Sequence, residues 1–496
     1  MGIRGSGILM HITSLPGSYG IGTFGKVAYE FIDFLVKSGQ RYWQILPLNP
    51  TGVGDSPYQP FSAFAGNPYF IDFDILAEQG LLEKNKYENM DFGSNNTKVD
   101  YEKIFNNKMP ILRIAFKNCK EKHKEKHKEK IRSFRDKNRK WLEDYALYMA
   151  IKSKVDLNSW QHWEENIKFR KEDTLNYYKE VLKEEIDYWV FLQYVFFSQW
   201  AELKNYANNN GIKIIGDIPI YVAEDSADAW SNSEIFLFDE DKKPIVVSGC
   251  PPDSFSDTGQ LWGNPIYDWS YLNKTNYKWW IERIKWNINL YDVIRIDHFR
   301  GFESFWQVPY GEQTAANGKW EKGPGMKLFN EVKKALGKIN IIAEDLGYLT
   351  KEVIEFRIAS GFPGMKVLEF AFDAREESDY LPHNYDKHCI VYTGTHDNET
   401  VIGWMENANI EDVNFAKRYL KLNKEEGYNW GFIRGALSSV ANLAIAQLQD
   451  YLGFSSEARM NIPSTVSGNW QWRVDEEYLN DKLASKIKEV TKLYGR

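Results

Sequence analysis

Cysteine is scarce in this chain, and the three present, Cys119, Cys250 and Cys389, lie far apart with no C-x-x-C spacing. Neither a disulfide framework nor a zinc site is suggested, and a reducing, cytoplasmic setting fits best. Long hydrophobic runs are missing too. The longest apolar stretch, around Tyr188 to Trp200, is too short and too mixed to span a bilayer and reads as a buried helix. The start of the chain shows no basic segment followed by an apolar core, so no leader and no membrane partner are expected. Nor is there an excess of positive charge: 62 Lys and Arg against 69 Asp and Glu give a net charge of -7, which argues against a nucleic-acid partner. No G-x-S-x-G elbow occurs, and no cysteine has a paired base nearby in the sequence.

What the chain has in abundance is aromatic surface, with 18 Trp and 29 Tyr. Such rings stack on the apolar faces of sugars or build ordinary interfaces, and composition alone does not choose between these. The stretch Asp292-Val-Ile-Arg-Ile-Asp-His-Phe-Arg-Gly301 is a β-like run that delivers Arg295, Asp297 and His298 together at its end. Residues two apart in a strand share a face, so Arg295 and Asp297 point the same way. A guanidinium beside a carboxylate favours the ionised form, which suits a nucleophile, although a strand-end ion pair would look the same.

The pattern around that run is repetitive. β-rich segments ending in polar residues occur at Gly7–Ile12, Tyr42–Pro47, Ile212–Pro219, Val293–Asp297, Ile339–Asp345, Met365–Phe372, Cys389–Thr395 and Ala458–Ile462, alternating with amphipathic helices such as Lys26–Lys37. Eight such units predict an α/β fold, a (β/α)8 TIM barrel with its working face at the strand C-termini and large, mainly helical insertions after several strands. An open doubly wound sheet is the fallback. The string Gly20-Ile-Gly-Thr-Phe-Gly25 is a formal G-x-G-x-x-G, but the next strand ends without the acidic residue a dinucleotide site needs, so the glycines are assigned to a tight strand-to-helix loop.

Residues 1–496 are read as one catalytic barrel, with a helical subdomain and substrate loop inserted at 49–180, a loop region over the active site at 221–273 and a further loop at 302–325. The Lys-rich part of the first insertion, about 106–140, carries opposite charges three and four apart and reads as a solvated helix. His123 and His127 on it are assigned to that solvated face, since no carboxylate or H-E-x-x-H pattern surrounds them.

On such a barrel, Asp217, Asp297, Glu344 and Asp397 converge on one mouth, and like charges held close raise at least one pKa. Glu344 follows Ile341-Ile-Ala343 and sits at an apolar edge, which favours its protonated form and a general-acid role. With Asp297 as nucleophile the pair fits retaining glycosidic chemistry, in which the carboxyl groups stand about 5 to 5.5 Å apart. Asp397, next to His396, is placed to stabilise positive charge on a sugar ring or to hold its hydroxyls. A divalent metal fits less well, because the first strand lacks an H-x-H pair, and no cofactor is expected.

Six strings then add up: Ser56-Pro-Tyr-Gln-Pro60, Gly216-Asp-Ile-Pro-Ile-Tyr-Val222, Arg295-Ile-Asp-His-Phe-Arg-Gly301, Ala343-Glu-Asp-Leu-Gly347, Thr393-Gly-Thr-His-Asp-Asn398 and Arg459-Met-Asn-Ile-Pro463. In this order, and spanning nearly the whole chain, they resemble the amylomaltases, the 4-α-glucanotransferases or disproportionating enzymes related to the α-amylase superfamily. Tyr221-Val222 stands after Asp217 where amylases tend to carry Asn-His, which favours the transferase branch over an α-glucan hydrolase; a glycan-binding protein without turnover is the alternative from another class. The resemblance implies Asp297 as nucleophile, Glu344 as acid/base and Asp397 as transition-state stabiliser. It further implies that Arg295 and His396 grip the reacting site, that Tyr58 stacks at the donor subsite, and that Trp262 and Asp253 line the acceptor side. Asp217, His298, Asp373 and Asn461 complete the expected substrate contacts. The expected partners are an α-1,4-glucan donor and a glucose or maltooligosaccharide acceptor, handled by a monomer or small homo-oligomer.

Overall fold

The computed structural model describes residues 4–52, 54–93, 95–121, 124–252, 256–347 and 349–496. Its centre is an eight-stranded parallel sheet curled into a nearly closed barrel. In chain order the barrel strands are β1 (Gly5–Leu9), β2 (Tyr42–Gln44), β3 (Lys213–Ile218), β6 (Val293–Ile296), β9 (Ile341–Ala343), β10 (Gly364–Val367), β11 (Cys389–Tyr392) and β12 (Leu443–Gln447). They pair in the order β10-β11-β12-β1-β2-β3-β6-β9. At the remaining seam the Ala343 N–H donates to the Pro363 carbonyl at 2.9 Å, so the last and first strands of that order are in touch.

The eighth strand is not where the sequence pattern puts it. Ala458–Ile462 is a short 3-10 turn, Ser456–Ala458, running into a loop, whereas Leu443–Gln447 pairs with both β1 and β11. The reason is physical. Leu443-Ala-Ile-Ala-Gln447 is buried at every position, so it shows no alternation, and its alanines between two helices read as more helix. Arg459-Met-Asn461 alternates only because Met460 tucks into the core between two residues that reach the barrel mouth.

The insertions at 221–273 and 302–325 also differ from the expectation of separate loops. Each contributes a strand pair, β4 (Val246–Cys250) with β5 (Gln260–Pro265) and β7 (Ser304–Pro309) with β8 (Lys319–Lys322), and the four join in one antiparallel sheet ordered β5-β4-β7-β8. The central pairing, Val247 opposite Val308 and Gly249 opposite Trp306, joins segments far apart in sequence, which local pattern cannot reveal.

The insertion at 49–180 is largely helical. Helix Lys124–Lys154 packs along the buried helix Lys183–Asn209, and ion pairs clasp the bundle: Arg135 with Glu143 at 2.6 Å and Asp187 at 2.9 Å, and Arg113 with Glu185 at 2.6 Å. Lys152 and Tyr148 both reach Asp225 at 2.5 Å, tying this bundle to the loop after β3. His127 is buried rather than solvated, because its side of the Lys-rich helix faces the packed neighbours; His123 lies outside the described residues. The glycines at 20–25 shape a strand-to-helix connection as expected: a Cβ on Gly25 would stand 2.0 Å from the Asp72 carboxylate. No helix among the described residues is long and apolar enough to cross a membrane, and no disulfide joins the three cysteines.

Candidate active site

Strand register assembles the first part of the site. Asp217 on β3 lies opposite Arg295 on β6, and Ile296 on β6 lies opposite Ala343 on β9, so Asp297 and Glu344 are the next residues out on neighbouring strands. Arg295 Nη1 stands 2.6 Å from Asp217 Oδ2 and 3.0 Å from Asp297 Oδ1. One guanidinium nitrogen thus serves two acids. Asp217 is fully enclosed, whereas Asp297 keeps 28 % of its side chain exposed and is the one of the two that a ligand in the mouth can reach.

Arg295 favours an ionised Asp297, as expected from the sequence, but other groups act on the same carboxyl. Burial pushes the Asp297 carboxyl up, Arg295 opposes this, and Asp217 and Asp397 add to the rise. The Glu344 carboxyl is also pushed up, by burial first and by Asp297 second, against the pull of Arg295 and two backbone N–H groups. Those are the N–H of His298, donating to Oε2 at 2.6 Å, and the N–H of Leu346, donating to Oε1 at 2.9 Å. The two acids titrate as a pair. Arg295 is in ionic contact with Asp297 and not with Glu344, which favours Glu344 as the acid that holds a proton.

His298 turns the chain at that point. Its left-handed backbone, φ 51°, directs its N–H at Glu344, and its ring meets the edge of Trp262 at a centroid distance of 4.7 Å. Burial pushes its imidazole down to about 3, with Arg300 adding to the effect, so the ring is neutral at working pH. Gln59 holds the carbonyl of Trp262 at 3.3 Å, linking the loop before Pro60 to β5.

The opposite flank is more tightly bonded. The Tyr58 hydroxyl donates to Asp217 Oδ2 at 2.8 Å, and its ring stacks on His396 at 5.0 Å and 13°. His396 Nε2 lies 3.2 Å from Asp397 Oδ2, and Asn461 Nδ2 donates to Asp397 Oδ1 at 2.6 Å. Burial works to raise the Asp397 carboxyl, but His396, Asn461 and Arg295 outweigh it and bring it down to about 2. Burial likewise disfavours the His396 cation, yet Asp397 prevails and its pKa is raised.

Of the residues singled out in the sequence, the structure brings Tyr58, Asp217, Arg295, Asp297, His396, Asp397 and Asn461 into one contact network, with Glu344, His298 and Trp262 beside it. Asp253 lies outside the described residues. Asp373 stands apart: its carboxylate is held by Arg375 through the guanidinium at 2.6 and 2.9 Å and the backbone N–H at 2.9 Å. Sequence reasoning gave no role to Arg459, whose guanidinium donates to the carbonyls of Asp397 at 2.8 Å and Asn461 at 2.9 Å, or to Trp470, whose ring lies 5.7 Å from Tyr58 and 5.9 Å from His396. Their signal was weak, since both sit in loops without regular pattern. No grouping of three or more His, Cys, Asp or Glu with metal-holding geometry occurs among the described residues.

Comparisons with known proteins agree with this fold. A sequence model of the family 4-alpha-glucanotransferase, glycoside hydrolase 77, matches residues 10–479. The 4-alpha-glucanotransferase of Clostridium butyricum is 58% identical over 489 residues, covering 98% of this chain and 100% of that one. Among solved structures, the amylomaltase from Streptococcus agalactiae in complex with acarbose superposes with a TM-score of 0.97 at 45% identity, covering 99% of each chain. The amylomaltase from Corynebacterium glutamicum shares the fold at a TM-score of 0.79 and 19% identity, covering 99% of this chain and 75% of that one. A glucan-transferring enzyme on a (β/α)8 barrel, the chain belongs to the 4-alpha-glucanotransferase family.

Proposed function

We propose that this enzyme moves segments of an α-1,4-glucan to the 4-hydroxyl of glucose or of another maltooligosaccharide by a retaining double displacement. The observation that carries the mechanism is the adjacency of two unlike acids at the ends of β6 and β9: Asp297 against a guanidinium and open to the mouth, Glu344 against backbone N–H groups with no cation in ionic contact among the described residues. Asp297 attacks the anomeric carbon while the bond to the leaving glycosidic oxygen breaks and Glu344 delivers its proton to that oxygen. A glycosyl ester on Asp297 results. In the second half Glu344, now a carboxylate, takes the proton of the acceptor 4-hydroxyl as that oxygen displaces Asp297 and restores the α-linkage.

Asp397, kept ionised by His396 and Asn461, faces the positive charge that develops on the sugar ring in both halves. Tyr58 and Arg295 fix the donor side, and Trp262 with His298 the side where leaving group and acceptor exchange. The S. agalactiae relative binds acarbose, which supports a sugar ligand in the corresponding groove here. No step of this scheme calls on a cofactor.

Incubation with maltotriose tests the proposal. Longer oligosaccharides and glucose are expected to appear while the total of reducing ends stays constant. A steady rise in reducing ends shows that water, not a glucan, is the principal acceptor, and overturns it.

A further inference from the structure

Behind Asp397 lies a second group of acids that the reaction scheme does not use. The loop Thr393–Thr400, which presents His396 and Asp397, rests on three carboxyl side chains: Glu369 just past β10, Asp450 just past β12, and Glu399 within the loop itself. Asp450 clasps the two ends of the loop, accepting from the Thr393 hydroxyl at 2.5 Å and from the Val401 N–H at 2.8 Å. Glu399 pairs with Arg459 at 3.4 Å, and the same arginine holds the Asp397 carbonyl. Glu369 sits between these two, its backbone N–H on the Thr393 carbonyl at 3.3 Å and its carboxyl pressed against the loop backbone. A Cβ on Gly394 would stand 2.7 Å from Glu369 Oε1 and 3.0 Å from the Gln447 amide nitrogen, so glycine is what lets the loop settle onto that carboxyl.

Glu369 is 6 % exposed, and among the described residues its Oε1 has no hydrogen-bond partner. Glu369 and Asp450 are buried, Glu399 keeps 16 % of its side chain exposed, and Arg459 is in ionic contact with Glu399 and, among the described residues, with neither of the other two. At 6 % exposure and with no cation in ionic contact among the described residues, a carboxylate at 369 would be poorly compensated, a state costlier than the neutral acid. We propose that Glu369 is a positioning residue for the transfer reaction, a neutral carboxylic acid on which the Thr393–Thr400 loop seats so that Asp397 stays at the barrel mouth. Burial, then the charges of Asp450 and Glu399, push its pKa well above the ordinary 4.5, with Arg459 opposing, which agrees with the geometry. The proposal rests on the reading of Asp397 as the residue that stabilises the transition state.

The sign of the pH effect follows. The folded protein holds a proton on Glu369 that the unfolded chain releases near pH 4.5, so Glu369 costs stability increasingly as pH rises above that value. Glu369→Gln keeps shape and neutrality and lacks this cost. The experiment measures Tm of parent and Glu369→Gln from pH 5 to 9, and kcat and KM on maltotriose for both, for Glu369→Ala and for Asp397→Asn. The expected result is a Tm advantage of Glu369→Gln that widens with pH, with kcat retained within about twofold, while Glu369→Ala loses kcat about tenfold or more at nearly unchanged KM. A Tm difference that does not change with pH overturns the neutral-acid assignment, and parent kcat in Glu369→Ala overturns the positioning role. If Asp397→Asn has parent activity, the reading of Asp397 fails instead, and the pH dependence of Tm still decides the protonation of Glu369.

Discussion

The two flanks of the barrel mouth are held in different ways. On one, Tyr58, Asp217, Arg295, His396, Asp397 and Asn461 each bond directly to another member, at 2.6 to 3.2 Å, in a network whose acids share two cations. On the other, Glu344 is held by two backbone N–H groups, and His298 Nε2 has no hydrogen-bond partner among the described residues. Trp262 there is half-buried on a strand of the accessory sheet, its ring against His298 and Tyr221 and its indole N–H on Gln260 at 3.2 Å. The difference matches the tasks in the proposed cycle. The bonded flank keeps the same glycosyl unit through both half-reactions and gains from fixed charge, because dipoles and charges already in place need no reorganisation. The other flank must release one glucan and admit the next, and side chains with spare bonding capacity can serve both.

The strongest way to break this comparison is to remove the nucleophile from the bonded flank. Asp297→Asn is expected to lower the initial rate of maltotriose disproportionation by about 10⁴-fold or more, with the fold and Tm retained. Activity near that of the parent would show that the covalent bond forms elsewhere. Across the mouth, Glu344→Gln should cost about 10³-fold on maltotriose, in keeping with loss of a proton donor. With a donor whose leaving group departs without protonation, such as an α-glycosyl fluoride, the first half-reaction should recover in Glu344→Gln and stay lost in Asp297→Asn. Equal recovery in both would erase the distinction between the two flanks.

The bonded flank was also the more legible of the two. Its acids Asp217 and Asp297 follow apolar strands, as Glu344 does across the mouth, so periodicity alone put all three at one end of a parallel sheet, and the register of β3, β6 and β9 then did the rest. Asp397 lies five residues beyond β11, and only convergence of strand ends suggested its place. What periodicity could not show was anything made by distant pairing or by burial on all sides. The alanine-rich β12 shows no alternation, and the sheet β5-β4-β7-β8 exists only once two insertions meet. Nor could sequence show that Asp217 competes with Asp297 for the same Arg295 nitrogen. Asp373, which only the resemblance singled out, is held by Arg375.

The looser flank can be sharpened through Trp262. Its ring is only half-buried and is fixed by Gln59 through the backbone carbonyl, so truncation leaves the loop anchored. Trp262→Ala is expected to raise KM for the acceptor and shift the partition between transfer and hydrolysis toward water by about tenfold, with little change in donor cleavage. The check is the ratio of new oligosaccharide to new reducing ends at several acceptor concentrations. An unchanged ratio would mean that the acceptor does not rest on this ring.

The smallest expected effect concerns the charge pair of the bonded flank, and it is one of stability. Asp397 is brought down to about 2 from an ordinary 3.8, so its share of the pair is complete above pH 4 and fades as pH falls toward 2. His396 is raised above 6.5, so its share is complete below that pH and fades as pH rises through its folded pKa. Together they define a window, roughly pH 4 to 6.5, in which a cation and an anion face one another at full strength. His396→Gln keeps a donor for Asp397 but no charge. Its Tm should therefore fall below the parent's by a few degrees inside the window, about the size of one lost charge-assisted bond, and approach the parent's on the alkaline side. A deficit independent of pH would mean that His396 contributes through its stack on Tyr58, 5.0 Å away, and not through charge, and the tighter flank would then be held by packing as much as by its ions.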